Sequence, residues 1–208
     1  MTASGEPTVF IVDDDTPFAE SLAVLLRSAG LRSRHFASGV EFLHDFQRGA
    51  PGCLVLDVRM PAMGGLELLD LLRPIDAWPA VVVLTGYAEV PTAVRSLERG
   101  AVMYLQKTCA EEELLSAIRQ AFDKDAEQRK ARERRQSVEA RLAALTIQER
   151  EVLDLVLASK ANKTIAVALG ISQRAVEDRR AKMMRKLQVD NLPDLVRFGL
   201  EAGLTTGR

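Results

Sequence analysis

Val9-Phe10-Ile11-Val12-Asp13-Asp14-Asp15 joins a short apolar run to three consecutive carboxylates. Three of the four apolar residues are β-branched, which suits a strand. The pattern returns three times. Leu54-Val55-Leu56 ends at Asp57, Val81-Val82-Val83-Leu84 ends at Thr85, and Val102-Met103-Tyr104-Leu105 leads to Lys107. Stretches with helical apolar spacing separate these runs. Phe18, Leu22, Leu25 and Leu26 fall on one face of Pro17–Ala29, and Gly30 is a natural stop. Ser38 with Glu41 fits a capping box ahead of Val40, Phe42, Leu43 and Phe46. Further helices are expected over Leu66–Leu72 and Val90–Arg99. Strand and helix alternate, so the expected fold is α/β: a doubly wound, five-stranded parallel sheet with right-handed crossovers.

In such a sheet the C-terminal strand ends line one crevice, where ligands bind. Asp13, Asp14, Asp57, Thr85 and Lys107 would therefore meet there. Carboxylate oxygens suit Mg²⁺. A carboxylate can also be a nucleophile and form an aspartyl phosphate, and Lys107 would add positive charge beside the transferring oxygens. A single Asp at a strand end is also an ordinary turn residue. The chemical reading rests on joint placement at four strand ends. Asp15 is assigned to a helix start before Pro17, and His35 and His44 to the surface, outside the cluster.

The 208 residues accommodate two small domains, and 47% apolar content supports packed cores. No apolar run is long enough for a membrane span, and the N-terminus lacks the regions of a signal peptide. Cys53 and Cys109 have no metal-ligand or CxxC spacing and read as free thiols in a reducing cytoplasm, Cys53 in the core. The net charge of −1 hides an asymmetry: residues 1–122 carry 10 Lys+Arg against 16 Asp+Glu, and residues 145–208 carry 11 against 8. An acidic front and a basic back suggest different partners.

A helix starting near Thr108–Glu111 buries Leu114, Leu115, Ile118 and Phe122. Beyond Phe122 the large apolar residues stop until Val138. The intervening stretch is dense in charges of both signs and free of Gly and Pro, which predicts a solvent-exposed helical linker with no core face. Its basic run Arg129–Arg135 reads as a solvated face. From Leu145 the pattern is helical throughout. Thr146 and Glu149 form a capping box, Asn162–Leu169 is a short helix ended by Gly170, Ser172 caps a helix reaching Leu187, and Asn191-Leu192-Pro193 opens the last. Helix, Gly-containing turn and capped second helix make a helix-turn-helix signature.

Ile11-Val12-Asp13-Asp14-Asp15, Asp57-Val58-Arg59-Met60-Pro61, Leu84-Thr85-Gly86-Tyr87 and Tyr104-Leu105-Gln106-Lys107 resemble the receiver domain of two-component response regulators, a CheY/flavodoxin-like fold. The resemblance implies that Asp57 is the phosphoacceptor. It implies that Asp14, Asp57 and the backbone carbonyl of Arg59 ligate Mg²⁺, with Asp13 acting through water. It implies that Thr85 binds a phosphoryl oxygen, that Tyr104 is the aromatic switch, and that a sensor histidine kinase is the donor. Thr108 departs from the pattern, which has proline after the lysine. A cis bond before a non-proline residue costs about 2.5–4 kcal/mol, so a trans bond is expected. With Glu111 three positions on, Thr108 is a candidate cap that would start the last helix early.

Residues 145–204 resemble the helix-turn-helix domain of LuxR/NarL regulators through Asn162-Lys163-Thr164-Ile165-Ala166 and Leu169-Gly170-Ile171-Ser172. Together with Thr85-Gly86-Tyr87-Ala88-Glu89-Val90-Pro91 they point to the FixJ-like subgroup. Val176, Met183 and Leu187 would face inward on the recognition helix. Gln173, Arg174, Glu177, Asp178, Arg179, Ala181, Lys182 and Arg185 would face DNA. Arg180, near the inner stripe, reads equally as a structural ion-pair residue, with Glu151 as candidate partner, or as a DNA contact. Here Arg179, Gln148 and Ala175 replace the His, Arg and Thr frequent in the pattern, and the acids Glu177 and Asp178 are unusual at a phosphate-rich surface.

The resemblances imply a receiver domain over 1–122, a helical linker over 123–144 and a LuxR-type DNA-binding domain over 145–208. They imply a cytoplasmic, non-enzymatic regulator that dimerises on phosphorylation. Its partners would be promoter DNA, a sensor histidine kinase and RNA polymerase, with no membrane. Two other readings stand beside this one: a phosphorylation-independent transcription factor with a modified receiver, and an Mg²⁺-dependent aspartyl-phosphate phosphotransferase.

Overall fold

The computed structural model describes residues 5–75, 77–87 and 89–204. Ala88 of the motif quoted above and the N-terminal Met1–Ser4 lie outside them. The chain divides into two compact units, residues 1–129 and 130–208.

The first unit holds β1 (Thr8–Val12), α1 (Thr16–Ser28), β2 (Arg32–Phe36), α2 (Gly39–Asp45), β3 (Gly52–Leu56), α3 (Gly65–Leu72), β4 (Ala80–Thr85), α4 (Val90–Glu98), β5 (Met103–Gln106) and the start of α5 (Glu111–Ala143). The strands form one parallel sheet in the order β2-β1-β3-β4-β5. Side chains alternate across it with the two-residue period of a strand. Val9, Ile11, Cys53, Val55, Val82 and Leu84 pack against Leu22 and Leu26 of α1 and Leu114 and Ile118 of α5. Phe10, Val12, Leu54, Leu56, Val81 and Val83 pack on the other face against Phe42 of α2 and Leu68, Leu69 and Leu72 of α3. Both faces are covered, which is why the central strands are continuously apolar.

The sequence left β2 unplaced. Arg32-Ser33-Arg34-His35-Phe36 sits at the sheet edge with only Phe36 fully buried, so no apolar run marks it. Helix signals fared better. Asp15 caps α1 by accepting from the Phe18 N–H at 3.1 Å. Ser38 accepts from Glu41 N–H at 3.1 Å, but the Glu41 carboxylate turns to the Ala37 N–H at 2.7 Å, so the expected box closes one residue early. Thr108 does not cap α5. The helix begins at Glu111, where the Ala110 carbonyl accepts from Glu113 and Leu114. No cis peptide occurs among the described residues, so the Lys107–Thr108 bond is trans.

The charged linker is helical, continuous with α5 from Glu111 to Ala143. It is not featureless, however. Asp125 is 2% exposed, and its carboxylate accepts from the Gly52 N–H at 3.1 Å and pairs with Arg129 at 2.8 Å. Val138, also on α5, is buried in the core of the second unit.

That unit contains α6 (Ile147–Leu157), α7 (Asn162–Leu169), α8 (Gln173–Leu187) and α9 (Leu192–Glu201). Its core gathers Val152, Leu153, Val156, Ile165, Val176, Met183, Leu187, Leu195 and Phe198. Thr146 and Glu149 form the expected capping box at α6. Gly170 adopts φ 65° and closes α7, and Ser172 accepts from the Ala175 N–H at 3.1 Å to start α8. Among the described residues, no helix is long and apolar enough to cross a membrane.

Candidate functional site

Parallel pairing aligns Val12 with Leu56, Leu56 with Val83, and Thr85 with Gln106. The residues that follow these strands therefore emerge at one edge. Asp57 donates its N–H to the Val12 carbonyl at 2.9 Å, and Lys107 donates its N–H to the Thr85 carbonyl at 2.8 Å. Helix α3 starts close beneath: a Cβ on Gly65 would lie 2.1 Å from the Asp57 carbonyl oxygen and 2.9 Å from Val58 Cα.

Lys107 Nζ lies 2.7 Å from Asp13 Oδ2 and 2.8 Å from Asp57 Oδ2. The remaining oxygens are held by backbone: Asp13 Oδ1 accepts from Asp15 N–H at 3.0 Å and Asp57 Oδ1 from Arg59 N–H at 3.2 Å. Asp13, Asp57 and Thr85 are buried, whereas Asp14 is exposed. Oxygens of Asp13, Asp14 and Asp57 all lie within 4.8 Å of one another, so the set can hold a cation.

One ammonium faces three carboxylates, leaving the crevice negative. Burial pushes the Asp13 pKa up, further than Lys107 and the Asp15 N–H pull it down, and the charge of Asp57 adds to the rise. Burial acts against the charged Lys107, but hydrogen bonds and charge from Asp13 and Asp57 outweigh it and raise its pKa. The ammonium is thus firmly protonated.

Thr85 and Tyr104 converge on the loop between β4 and α4. Thr85 Oγ1 accepts from the Tyr87 N–H at 3.4 Å. The half-buried Tyr104 hydroxyl donates to the Tyr87 carbonyl at 3.2 Å and accepts from the Glu89 N–H at 3.4 Å. The Arg59 side chain joins them, 2.7 Å from Glu89 Oε1 and 4.4 Å from the Tyr87 ring centroid. Sequence reasoning gave Arg59 only a carbonyl role and passed over Tyr87 and Glu89 as site neighbours. It also placed Phe18 only on the apolar face of its helix, whereas its ring centroid lies 4.4 Å from Lys107 Nζ. No spacing rule in the sequence signals that contact. His44 is exposed as expected, but His35 is half-buried and its Nε2 lies 2.8 Å from the Asp13 carbonyl oxygen.

In the second unit, Val176, Met183 and Leu187 of α8 face inward. Gln173, Arg174, Glu177, Asp178, Ala181, Lys182 and Arg185 are exposed. Arg179 is half-buried and lines a cleft with Gln148, Glu151 and Ile171. Arg180 donates to Asn162 Oδ1 at 3.1 Å, so its partner is Asn162 and not Glu151. Among the described residues, neither Glu177 nor Asp178 forms an ion pair. Glu149, 5% exposed, is bound by Lys186 at 2.6 Å. That bond and the Thr146 N–H hold the Glu149 carboxyl below its usual pKa.

The family model of the response regulator receiver domain matches residues 9–119, and that of the luxR family of bacterial regulatory proteins matches residues 143–198. The transcriptional regulatory protein FixJ of Azorhizobium caulinodans is 43% identical over 94% of this chain and 93% of its own length. The response regulator protein TodT of Pseudomonas putida is 39% identical over 91% of this chain and 83% of its own. Among solved structures, the response regulator StyR is similar with a TM-score of 0.87 and 40% identity, covering 95% of this chain and all of that one.

Proposed function

Because the chain belongs to the response regulators that join a receiver domain to a LuxR-type DNA-binding domain, we propose that phosphorylation of Asp57 by a sensor histidine kinase switches its control of transcription. The observation that carries this reading is the buried Asp57 carboxylate held 2.8 Å from Lys107 at the strand ends. An Asp57 carboxylate oxygen attacks phosphorus, the P–O bond forms, the P–N bond to the donor histidine breaks, and the imidazole leaves with its electron pair. Lys107 compensates charge on the phosphoryl oxygens, and Thr85 hydrogen-bonds one of them.

The donor set fits Mg²⁺, a hard cation that favours oxygen ligands and is held by few carboxylates. Asp14, Asp57 and the Arg59 carbonyl would hold it, with Asp13 acting through water. What Mg²⁺ supplies when bound is further compensation of phosphoryl charge.

Thr85 and Tyr104 share the Tyr87–Glu89 loop, which leads directly into α4, so a change at Thr85 reaches that helix. Val90, Val94 and Leu97 of α4 are exposed, and this face serves phosphorylation-dependent dimerisation. Paired effector domains would then use α8 on two half-sites roughly 34–36 Å apart, with linkage raising affinity. Domains over 1–122 and 145–208 with a linker over 123–144, a cytoplasmic location and contact with RNA polymerase complete the proposal.

The test treats the full chain with phosphoramidate and Mg²⁺ and selects DNA sites with and without treatment. Expected are one added phosphoryl group and enriched sites only after treatment, both lost in Asp57→Asn. Identical site selection in both states would instead favour the phosphorylation-independent reading. Turnover of phosphorylated metabolites would favour the phosphotransferase.

A further inference from the structure

We infer that Phe18 is a positioning residue for phosphoryl transfer, its ring holding the Lys107 ammonium against Asp13 and Asp57. The inference rests on Asp57 being the phosphoacceptor. Four contacts close on themselves. Asp13 Oδ1 accepts from the Asp15 N–H at 3.0 Å. The Asp15 side chain caps α1 by accepting from the Phe18 N–H at 3.1 Å. The Phe18 ring centroid lies 4.4 Å from Lys107 Nζ. Lys107 Nζ returns to Asp13 Oδ2 at 2.7 Å. Phe18 is therefore set at a capped helix start, where backbone freedom is small, and it packs against the core cluster formed by Leu22, Leu26 and Ile118.

An ammonium has three donors in rotatable directions. Two are taken by Asp13 and Asp57. The long lysine stem leaves Nζ free to swing towards water on any side that nothing closes. An aromatic face closes one side and attracts the cation without offering a competing acceptor, so the donors stay directed at the carboxylates. A leucine would fill similar space without that attraction. The ring matters because Lys107 has to lie where charge develops on the phosphoryl oxygens, and donors fixed in advance need no reorganisation at the moment of transfer.

The test uses the full chain with Mg²⁺ and phosphoramidate, from which Asp57 displaces ammonia as the P–N bond breaks and the P–O bond forms. Phe18→Leu, Phe18→Met and Phe18→Tyr are compared by initial phosphorylation rate. The ring-current shift of the Lys107 ε-methylene protons is followed in parallel by NMR, and folding by the fluorescence melt of Trp78. The expected result is an upfield ε-methylene shift in the parent and Phe18→Tyr that disappears in the aliphatic variants, with a rate about five-fold lower in those variants and restored by tyrosine. Phe18→Met decides if Phe18→Leu does not fold. Equal rates in all variants, a shift that survives the loss of the ring, or a tyrosine variant as slow as leucine would overturn the inference. A parent chain that accepts no phosphoryl group would overturn the acceptor reading instead, while the ring-current shift still reports whether the ring holds the lysine.

Discussion

Lys107 touches two carboxylates, so its removal has consequences beyond chemistry. Lys107→Met leaves Asp13 and Asp57 facing each other in a buried crevice without their shared cation. Expected are a loss of about 1–3 kcal/mol of stability at neutral pH in urea unfolding and a phosphorylation rate lower by at least roughly ten-fold. A second residue-scale prediction concerns Glu149. Its carboxyl pKa is lowered in the folded state, first by Lys186 and then by the Thr146 N–H. A lowered carboxylate pKa contributes stability above the unfolded value, roughly pH 4.3, and loses it as pH falls through the folded value. The protection factors of the α6 amides, exchange rates taken relative to the intrinsic rate at each pH, should therefore fall on acidification below that point. Glu149→Gln should show faster exchange already at neutral pH and a flatter acid dependence. A steeper acid response in the glutamine variant would contradict this assignment.

Elements differ in how openly the sequence announces them, and burial explains the difference. Strands β1, β3 and β4 are covered on both faces and read as apolar runs. Strand β2 is an edge with one polar face, and its side chains carry no such run. The helix-turn-helix was legible almost to the residue because its signals are local caps: Thr146 with Glu149, Gly170 and Ser172. The docking of α5 was not legible, since Asp125 finds its partner 73 positions away at Gly52. Asp125→Ala should leave the Gly52 N–H and Arg129 unsatisfied, costing about 1–3 kcal/mol, with faster amide exchange over residues 122–129. Helix α3 supplies another test. Gly65→Ala would place a methyl group 2.1 Å from the Asp57 carbonyl oxygen, and backbone would have to move. Overpacking of this kind costs typically about 1–3 kcal/mol, readable as a lower urea midpoint, and it should slow phosphorylation as well by displacing Asp57.

Across the whole molecule, charge is unevenly divided: an excess of acids over residues 1–122 and an excess of bases over residues 145–208. The acidic crevice could be anticipated because a parallel sheet brings every C-terminal strand end to one edge. The contacts that refine it, Phe18 on Lys107 and Arg59 on Glu89, depend on side-chain directions that no periodicity encodes. The exposed face of α8 divides similarly. Lys182 and Asp178 are both exposed on α8, and under the proposed DNA-facing role of that helix their opposite charges would give them different work. Phosphate contacts are common to all sequences and release counterions, so removing one lowers affinity broadly and reduces the salt slope by about one. A carboxylate is repelled by phosphate and can accept from cytosine N4, so it selects among bases. Lys182→Ala should weaken binding to specific and random duplexes alike and flatten the salt dependence. Asp178→Ala should raise affinity for random duplexes and relax preference at one base pair, by about 1–3 kcal/mol. Titrating both variants against a selected site and a scrambled one, over a range of salt, separates the two roles. Equal losses on both duplexes for both variants would mean that α8 does not divide attraction from selection between these residues.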